Sequence, residues 1–337
     1  MKVTLISGGV GGAKFALGLR QALQDQDASL SIIVNTGDDM WLTGVRVCPD
    51  LDSMMYALAG LNDAERGWGR AGESERVSAE LKAYGIGWPW FTLGDLDLGT
   101  HLARTTLLRE GLALSEATAQ LCARWELGAQ LIPATDDEVE TWVETTAGNG
   151  TATMHFEEWW VRTRATAPVR RFLQRGAESA SPAAGVVEAV AEADVVVLAP
   201  SNPVVSLGTV LGFPGAGGRA GVPGIAGIRQ AVQRTAAPVV GVSPIIGGSP
   251  VRGMAAQCLE ALGQPCSAEA VGLIYGSRGQ GGLLDSWLVD TEDSGALPAL
   301  EASGIAAEAV PLWMHNGDAS RRLALDALSA AQRAAGH

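Results

Sequence analysis

The sequence predicts an α/β protein: a doubly wound, mainly parallel Rossmann-like sheet with a helical insertion and a short β-hairpin. Three observations point there. An apolar run at 2–6 meets a glycine turn and then a helical pattern. The first 60 residues alternate strand and helix signals, the opening of a doubly wound sheet. Short apolar runs then recur at 195–199 and 239–242, as expected of strands covered on both faces.

Taken in order, 2–6 reads as a buried strand, 8–12 as a glycine turn and 13–24 as an amphipathic helix with Leu17, Leu19 and Leu23 inward. A β-branched strand at 30–34 ends in the turn Asn35-Thr36-Gly37-Asp38-Asp39, and 54–61 reads as a short helix. Residues 67–72 are loop-like, and 78–84, 101–111 and 115–125 carry helical patterns, with Ser115 as the expected N-cap. Strands are predicted at 131–133, 138–145 and 151–156. Asn149-Gly150 between the last two is a hairpin signal, because both residues tolerate positive φ. Helices at 186–193, 204–211 and 319–335 and strands at 284–289 and 309–312 complete the pattern. The segment 212–227 holds seven glycines and two prolines in 16 residues and reads as a surface loop. The expected organisation is a nucleotide-binding core, 1–62 and 128–337, with a mainly helical insertion, 63–127, over the substrate site.

Composition removes several function classes. With Lys+Arg 24 against Asp+Glu 37, the net charge is −13, the wrong sign for a general nucleic-acid or membrane-surface binder. Hydrophobic residues at 47% supply a sizeable core. Four cysteines without a CxxC pair make neither a disulfide framework nor a zinc knuckle. The apolar run at 2–6 is too short for a signal-peptide core, and no run approaches the roughly 20 residues of a membrane helix. A cytoplasmic enzyme is the expectation.

Five segments could carry chemistry. Gly8, Gly9, Gly11 and Gly12, with Lys14 one turn on, stand between a strand and a helix. There backbone amides and the helix dipole can cradle a phosphate. A tight βα turn would explain the glycines alone, and the spacing fits neither a Walker loop nor GxGxxG. Asp38, Asp39, Asp50 and Asp52 place four carboxylates within 15 residues near the carboxyl end of the second strand, with Asn35 beside them. Acids facing a phosphate site call for a bridging hard cation, normally Mg²⁺. His101 and Arg104, three apart, share a helix face able to hold an anion. Asn202 and Ser243 follow buried strands, where they either cap the next turn or meet a ligand. Arg162, Arg164, Arg170, Arg171 and Arg175 form an acid-free stretch, read as a solvated or subunit-contact face.

Together these segments resemble the family of 2-phospho-L-lactate transferases, including its actinobacterial phosphoenolpyruvate transferase branch, which builds the deazaflavin coenzyme F-420. The resemblance rests on nine segments in order: GGVGGAK, NTGDD, CPDLDS, WFTLGDLDLGTHLART, LSEAT, IPATDDEVET, HFEEWWV, APSNPVVSLG and VSPIIGG, within residues 6–248. It implies transfer of a phosphoenolpyruvyl or 2-phospholactyl group from a guanosine diphospho-conjugate to the ribityl hydroxyl of the deazaflavin Fo, with release of GMP. It further implies a Mg²⁺ requirement and a homodimer.

On that resemblance the glycine turn and Lys14 cradle the diphosphate. Asp38 and Asp52 are the catalytic ligands of the metal, with Asp39 and Asp50 in support. Asn35, Asn202, Ser206 and Ser243 serve the nucleotide pocket. Asp52, Thr92, Gly94, Asp95, His101 and Arg104 serve the substrate side, Asp52 as a turn carboxylate whose removal spares the fold. Val10, Thr92 and Thr209 depart from residues common in the family. Two other readings compete. One is a nucleotide-sugar-binding regulator of the gluconeogenesis-factor type, which lacks a segment like 90–105. The other is an NAD-type oxidoreductase, which needs one ribose-binding acid where this chain has a cluster.

Overall fold

The computed structural model describes residues 1–336 apart from 64, 65, 67, 148, 149 and 252, and apart from the side chain of 147. The predicted turn residues 148–149 and Gly67 therefore lie outside the described residues. The chain opens with β1 (Lys2–Ser7), α1 (Gly9–Leu23) and β2 (Ser29–Val34). A ribbon, β3 (Met40–Leu42) and β4 (Val45–Val47), leads into α2 (Pro49–Leu58). Then come α3 (Arg76–Ala83), α4 (Asp95–Arg109), α5 (Leu114–Cys122) and β5 (Gln130–Pro133). An antiparallel unit follows, β6 (Glu140–Ala147), β7 (Gly150–His155) and β8 (Val169–Arg175), with a π-helical turn at Glu158–Arg162.

The second half contains α6 (Val186–Ala191), β9 (Val195–Leu198), α7 (Leu207–Leu211), α8 (Ile228–Arg234) and β10 (Val239–Val242). The small ribbon β11 (Ile245–Ile246) and β12 (Ser249–Pro250) precedes α9 (Ala255–Ala261) and α10 (Ala268–Tyr275). The chain closes with β13 (Ser286–Val289), α11 (Leu297–Ala302), β14 (Ala306–Ala309) and α12 (Gly317–Ala335).

Seven strands form the central sheet in the order β14-β13-β10-β9-β1-β2-β5, every pair parallel. The doubly wound, mainly parallel sheet expected from the sequence is therefore present. In β9 the period of two splits the side chains between two cores. Val195 and Val197 face the layer of α1, α2 and α12, and Val196 and Leu198 face the layer of α6–α10. The winding reverses between β1 and β9, and the chain leaves this carboxyl edge at Gly8, Asn35, Pro200 and Ser243. Open α/β sheets take ligands at such a switch point. No helix among the described residues is long and apolar enough to cross a membrane.

Several expectations need correction. Helix α1 begins at Gly9, so the glycines are its first turn. Helix α2 begins at Pro49, because proline lacks the amide that a first turn leaves unpaired. Helix α4 begins at Asp95 because Glu73, 23 and 24 residues upstream, accepts the amides of Leu96 and Asp97 at 2.7 and 2.8 Å. Ser115 is inside α5: Glu116 accepts the amide of Ala113 at 2.8 Å, and Ser115 binds Asp136 instead. Leu17 is only half-buried.

The hairpin of β6 and β7 gains a third strand, β8, inside the arginine stretch, where Phe172 and Gln174 point inward. The last strand is displaced from 309–312 to Ala306–Ala309, and the helix expected at 204–211 forms only from Leu207. The glycine-rich segment 212–227 is not merely surface: Phe213, Val222 and Ile225 are buried in the core, and Phe213 pairs with Val222 as a β-bridge.

Candidate functional site

The loop after β1 is shaped by close approach. Gly8 is extended, and a Cβ on it would lie 2.6 Å from Asp50 Oδ2 and 2.9 Å from the Cβ atoms of Asn35 and Ser206. Gly9 has φ +68°, a region that only glycine enters without cost. Ser201, from the loop after β9, locks the turn: its hydroxyl donates to Gly8 O at 2.7 Å and accepts the Gly8 amide at 3.1 Å. The first turn of α1 thus presents its amides between two loops, without an acid in that turn.

Facing it lies a buried acid cluster. Asn35 Nδ2 donates to Asp50 Oδ2 at 2.9 Å and to Asp38 Oδ2 at 3.3 Å, while Asn35 Oδ1 accepts the Gly37 amide. One amide therefore ties the turn after β2 to the first turn of α2. Glu157, beside the π-helical turn, is the third member. Burial, then repulsion from Asp50 and Glu157, raises the Asp38 carboxyl well above its ordinary value. Burial pushes Asp50 up to about 6 against the pull of its Asn35 bond. Burial and Asp50 push Glu157 up to about 8. Asp38 Oδ1 is buried without a hydrogen-bond partner. Asp38, with its open oxygen, and its carboxyl neighbours Asp50 and Glu157 offer the hard oxygen donors that a divalent cation takes.

The other two acids are held by arginines. Asp39 faces Arg46 at 3.8 Å, and burial still raises its carboxyl to about 7. Asp52 lies on α2, not in a turn, and is clamped by both terminal nitrogens of Arg104, one at 3.1 Å. His101 Nδ1 is 3.5 Å from Asp52 and its Nε2 is 3.3 Å from Asp97, while Tyr56 donates to Asp97 at 2.7 Å. Burial opposes ionisation of Asp97, but the bonds from His101 and Tyr56 and the charge of Arg104 win and hold its carboxyl below the usual value. Asp52, Asp97 and His101 have the spacing of metal ligands. The Arg104 guanidinium already supplies positive charge there, which weakens that group as a cation site.

These groups line one cavity of about 900 Å³. It collects Gly8, Gly9, Gly11, Lys14, Asp38, Asp50, Asp52, Thr92, His101, Asn202, Ser206 and Ser243, all singled out in the sequence. Asn202 and Ser243 also brace their own loops: Asn202 Oδ1 accepts the Val204 amide at 2.9 Å, and the Ser243 hydroxyl accepts that of Ile245 at 3.1 Å.

Gly12, Asn35, Asp39 and Arg104 stand behind this wall. Gly94 and Asp95 are elsewhere: with α4 starting at Asp95, that carboxylate turns to Ser74 and the Val77 amide, bonds that hold its pKa down. Thr209, a departure from the family pattern, is buried and accepts from Gln174. Sequence reasoning missed Asp97, Glu157, Tyr56 and the aromatic wall of Trp90, Phe91 and Trp160. The four-residue spacing of Asp97 and His101 was the available signal for the first; Glu157 lay unremarked in HFEEWWV. Arg164, read as surface, also lines the cavity.

A family model described as 2-phospho-L-lactate transferase CofD matches residues 3–312. A Kitasatospora aureofaciens protein named phosphoenolpyruvate transferase is 49% identical over 333 residues, spanning 99% of this chain and 98% of its own. A Mycobacterium tuberculosis protein of the same name is 46% identical, spanning 96% of each. A Bacillus halodurans protein of the UPF0052 family has a solved structure with TM-score 0.58 over 97% of this chain and 98% of that one, at 16% identity, which shows the fold alone. With the family model matched over nearly the whole chain, and with relatives this similar, the chain belongs to the 2-phospho-L-lactate transferase CofD family and is a transferase.

Proposed function

We propose that this transferase moves a phosphoenolpyruvyl group from a guanosine diphospho-conjugate onto the ribityl hydroxyl of Fo, releasing GMP. The observation that carries the reading is the single cavity in which the amide-rich start of α1 faces three buried carboxyls beside an aromatic wall. Relatives named phosphoenolpyruvate transferase support this phosphoenolpyruvyl group over phospholactyl.

In the reaction the hydroxyl oxygen bonds to the phosphorus that carries the three-carbon acid, and the bond from that phosphorus to GMP breaks. The hydroxyl proton passes to an aspartate carboxylate of the cavity. The α1 amides and Lys14 hold the diphosphate; Ser206 and Ser243 flank the nucleotide. Asp52, kept in place by Arg104, and the segment at Thr92 contact the acceptor, and Trp90 and Phe91 offer faces for its flat ring system. Asp38, Asp50 and Glu157 would hold Mg²⁺. Bound there, it supplies charge neutralisation at the transferring phosphate and eases loss of the hydroxyl proton. Positioning and electrostatics suffice for such a displacement, without a covalent intermediate.

The test incubates the protein with Mg²⁺, Fo and either the phosphoenolpyruvyl or the phospholactyl conjugate, and follows GMP and the phosphodiester by chromatography. Product from the first conjugate, preceded by Mg²⁺-dependent GDP binding in calorimetry, is the expected result. GDP binding without any Fo-dependent GMP release would point to a nucleotide-binding regulator and overturn the proposal.

A further inference from the structure

The arginine stretch after the π-helical turn has one member that is unlike the rest. Arg162 pairs with Glu158 at 2.7 Å, Arg171 with Glu144 at 3.0 Å, and Arg170 lies 3.9 Å from the same Glu144. Arg175 stacks over the Trp142 ring at 3.7 Å. Among these five, the Arg164 side chain alone has neither an ion pair, a hydrogen bond nor a ring contact with the described residues, and it is exposed at the cavity lining, near Trp160 and Glu157 in the chain.

Its backbone is also unusual. Arg164 and Ala165 have φ of +53° and +54°, and no glycine or asparagine relieves either position. The surroundings enforce this geometry. Ala165 is buried and its amide donates to Trp159 O at 3.0 Å; the Trp159 indole donates to Ala167 O at 2.8 Å. A costly backbone that brings an unpaired guanidinium to a cavity is the pattern of strain kept for a ligand.

We infer that Arg164 reads the carboxylate of the donor's three-carbon acid, making it a specificity-determining residue. The inference rests on the phosphoenolpyruvyl-transfer reading above. The diphosphate has its own amides at α1 and the carboxyl cluster is suited to a cation, which leaves the acid's carboxylate to be neutralised. A guanidinium fork matches that group, which GDP lacks.

The experiment compares wild type with Arg164→Gln, Arg164→Lys and Arg164→Gly. It measures donor KM and kcat in the transfer assay, GDP affinity by calorimetry and Tm. Expected is a rise of about 10- to 100-fold in donor KM for the Gln and Gly variants, with the loss falling on KM and not kcat. Lys should recover part of it, and GDP affinity should stay as in wild type. Arg164→Gly should keep or raise Tm, since glycine accepts the positive φ, so the loss cannot be ascribed to unfolding. An unchanged donor KM, or an equal loss of GDP and conjugate affinity, overturns the inference while leaving transfer intact. A wild type that transfers no acid from either conjugate removes the functional reading, and this inference with it.

Discussion

Arg104 of α4 and Asp52 of α2 form a two-point pair in which both side chains are buried, 1% and 4% exposed. The pair joins α4 to the helix that also carries Asp50. Removing one partner leaves an uncompensated charge inside the protein, so Asp52→Ala should cost about 3–5 kcal/mol of stability as well as activity. Denaturant unfolding of the variant measures it. A wild-type midpoint would show that the pair contributes nothing, and would restore the sequence expectation of a dispensable turn acid.

Asp38→Asn and Asp50→Asn should behave in the opposite way. Each removes a carboxyl that burial already discourages from ionising, so the metal-free variants should be as stable as wild type or more so. Each should lose Mg²⁺-dependent turnover by at least about 100-fold. Thermal unfolding in chelator, set beside the transfer assay, separates the two effects; retained turnover would remove these residues from the metal set.

A pH dependence follows from the same group. Asp39 at about 7, Asp50 at about 6, Glu157 at about 8 and the raised Asp38 all keep protons in the folded state that the unfolded chain releases near its ordinary carboxylate pKa of about 4. The folded form therefore binds more protons through this window, and metal-free stability should fall as pH rises from about 4 to about 8. Mg²⁺ held as proposed by Asp38, Asp50 and Glu157 would compete with their protons, so its gain in Tm should be larger at about pH 8 than at about pH 5. Equal gains at both values would mean that the metal binds elsewhere.

Gly8→Ala should break the site mechanically. The added Cβ would meet Asp50, Asn35 and Ser206 at 2.6 to 2.9 Å, from three separate segments of the chain, so all three must shift. A loss of about 1–3 kcal/mol together with weaker GDP binding is expected, read by unfolding and calorimetry. Tight GDP binding by a stable variant would show that the loops can open without harm.

Part of the site was legible because its residues are close in sequence and their chemistry is local. The glycines before Lys14 and the paired acids of NTGDD and CPDLDS could be read from type and spacing alone. The β3–β4 ribbon was not, because its tight turn uses Thr43 at φ +52° and Gly44 in place of an Asn-Gly signal. Nor was the true start of α4, since its cap comes from Glu73, which no local pattern connects to Leu96.

The sequence by itself determined the doubly wound parallel sheet, the family likeness and the polar residue types of the glycine turn and the acid cluster. Those follow from hydrophobic period, turn chemistry and motif order, which are properties of the chain. Tertiary structure decided how four similar aspartates divide. Asp38 and Asp50 meet through Asn35 and are joined by Glu157, while Asp39 and Asp52 are taken by Arg46 and Arg104. It also set Arg164 apart from four neighbouring arginines. The physical reason is the same in both cases. A charged group's role depends on which opposite charge the fold brings within a few ångströms, and how much water it removes from between them.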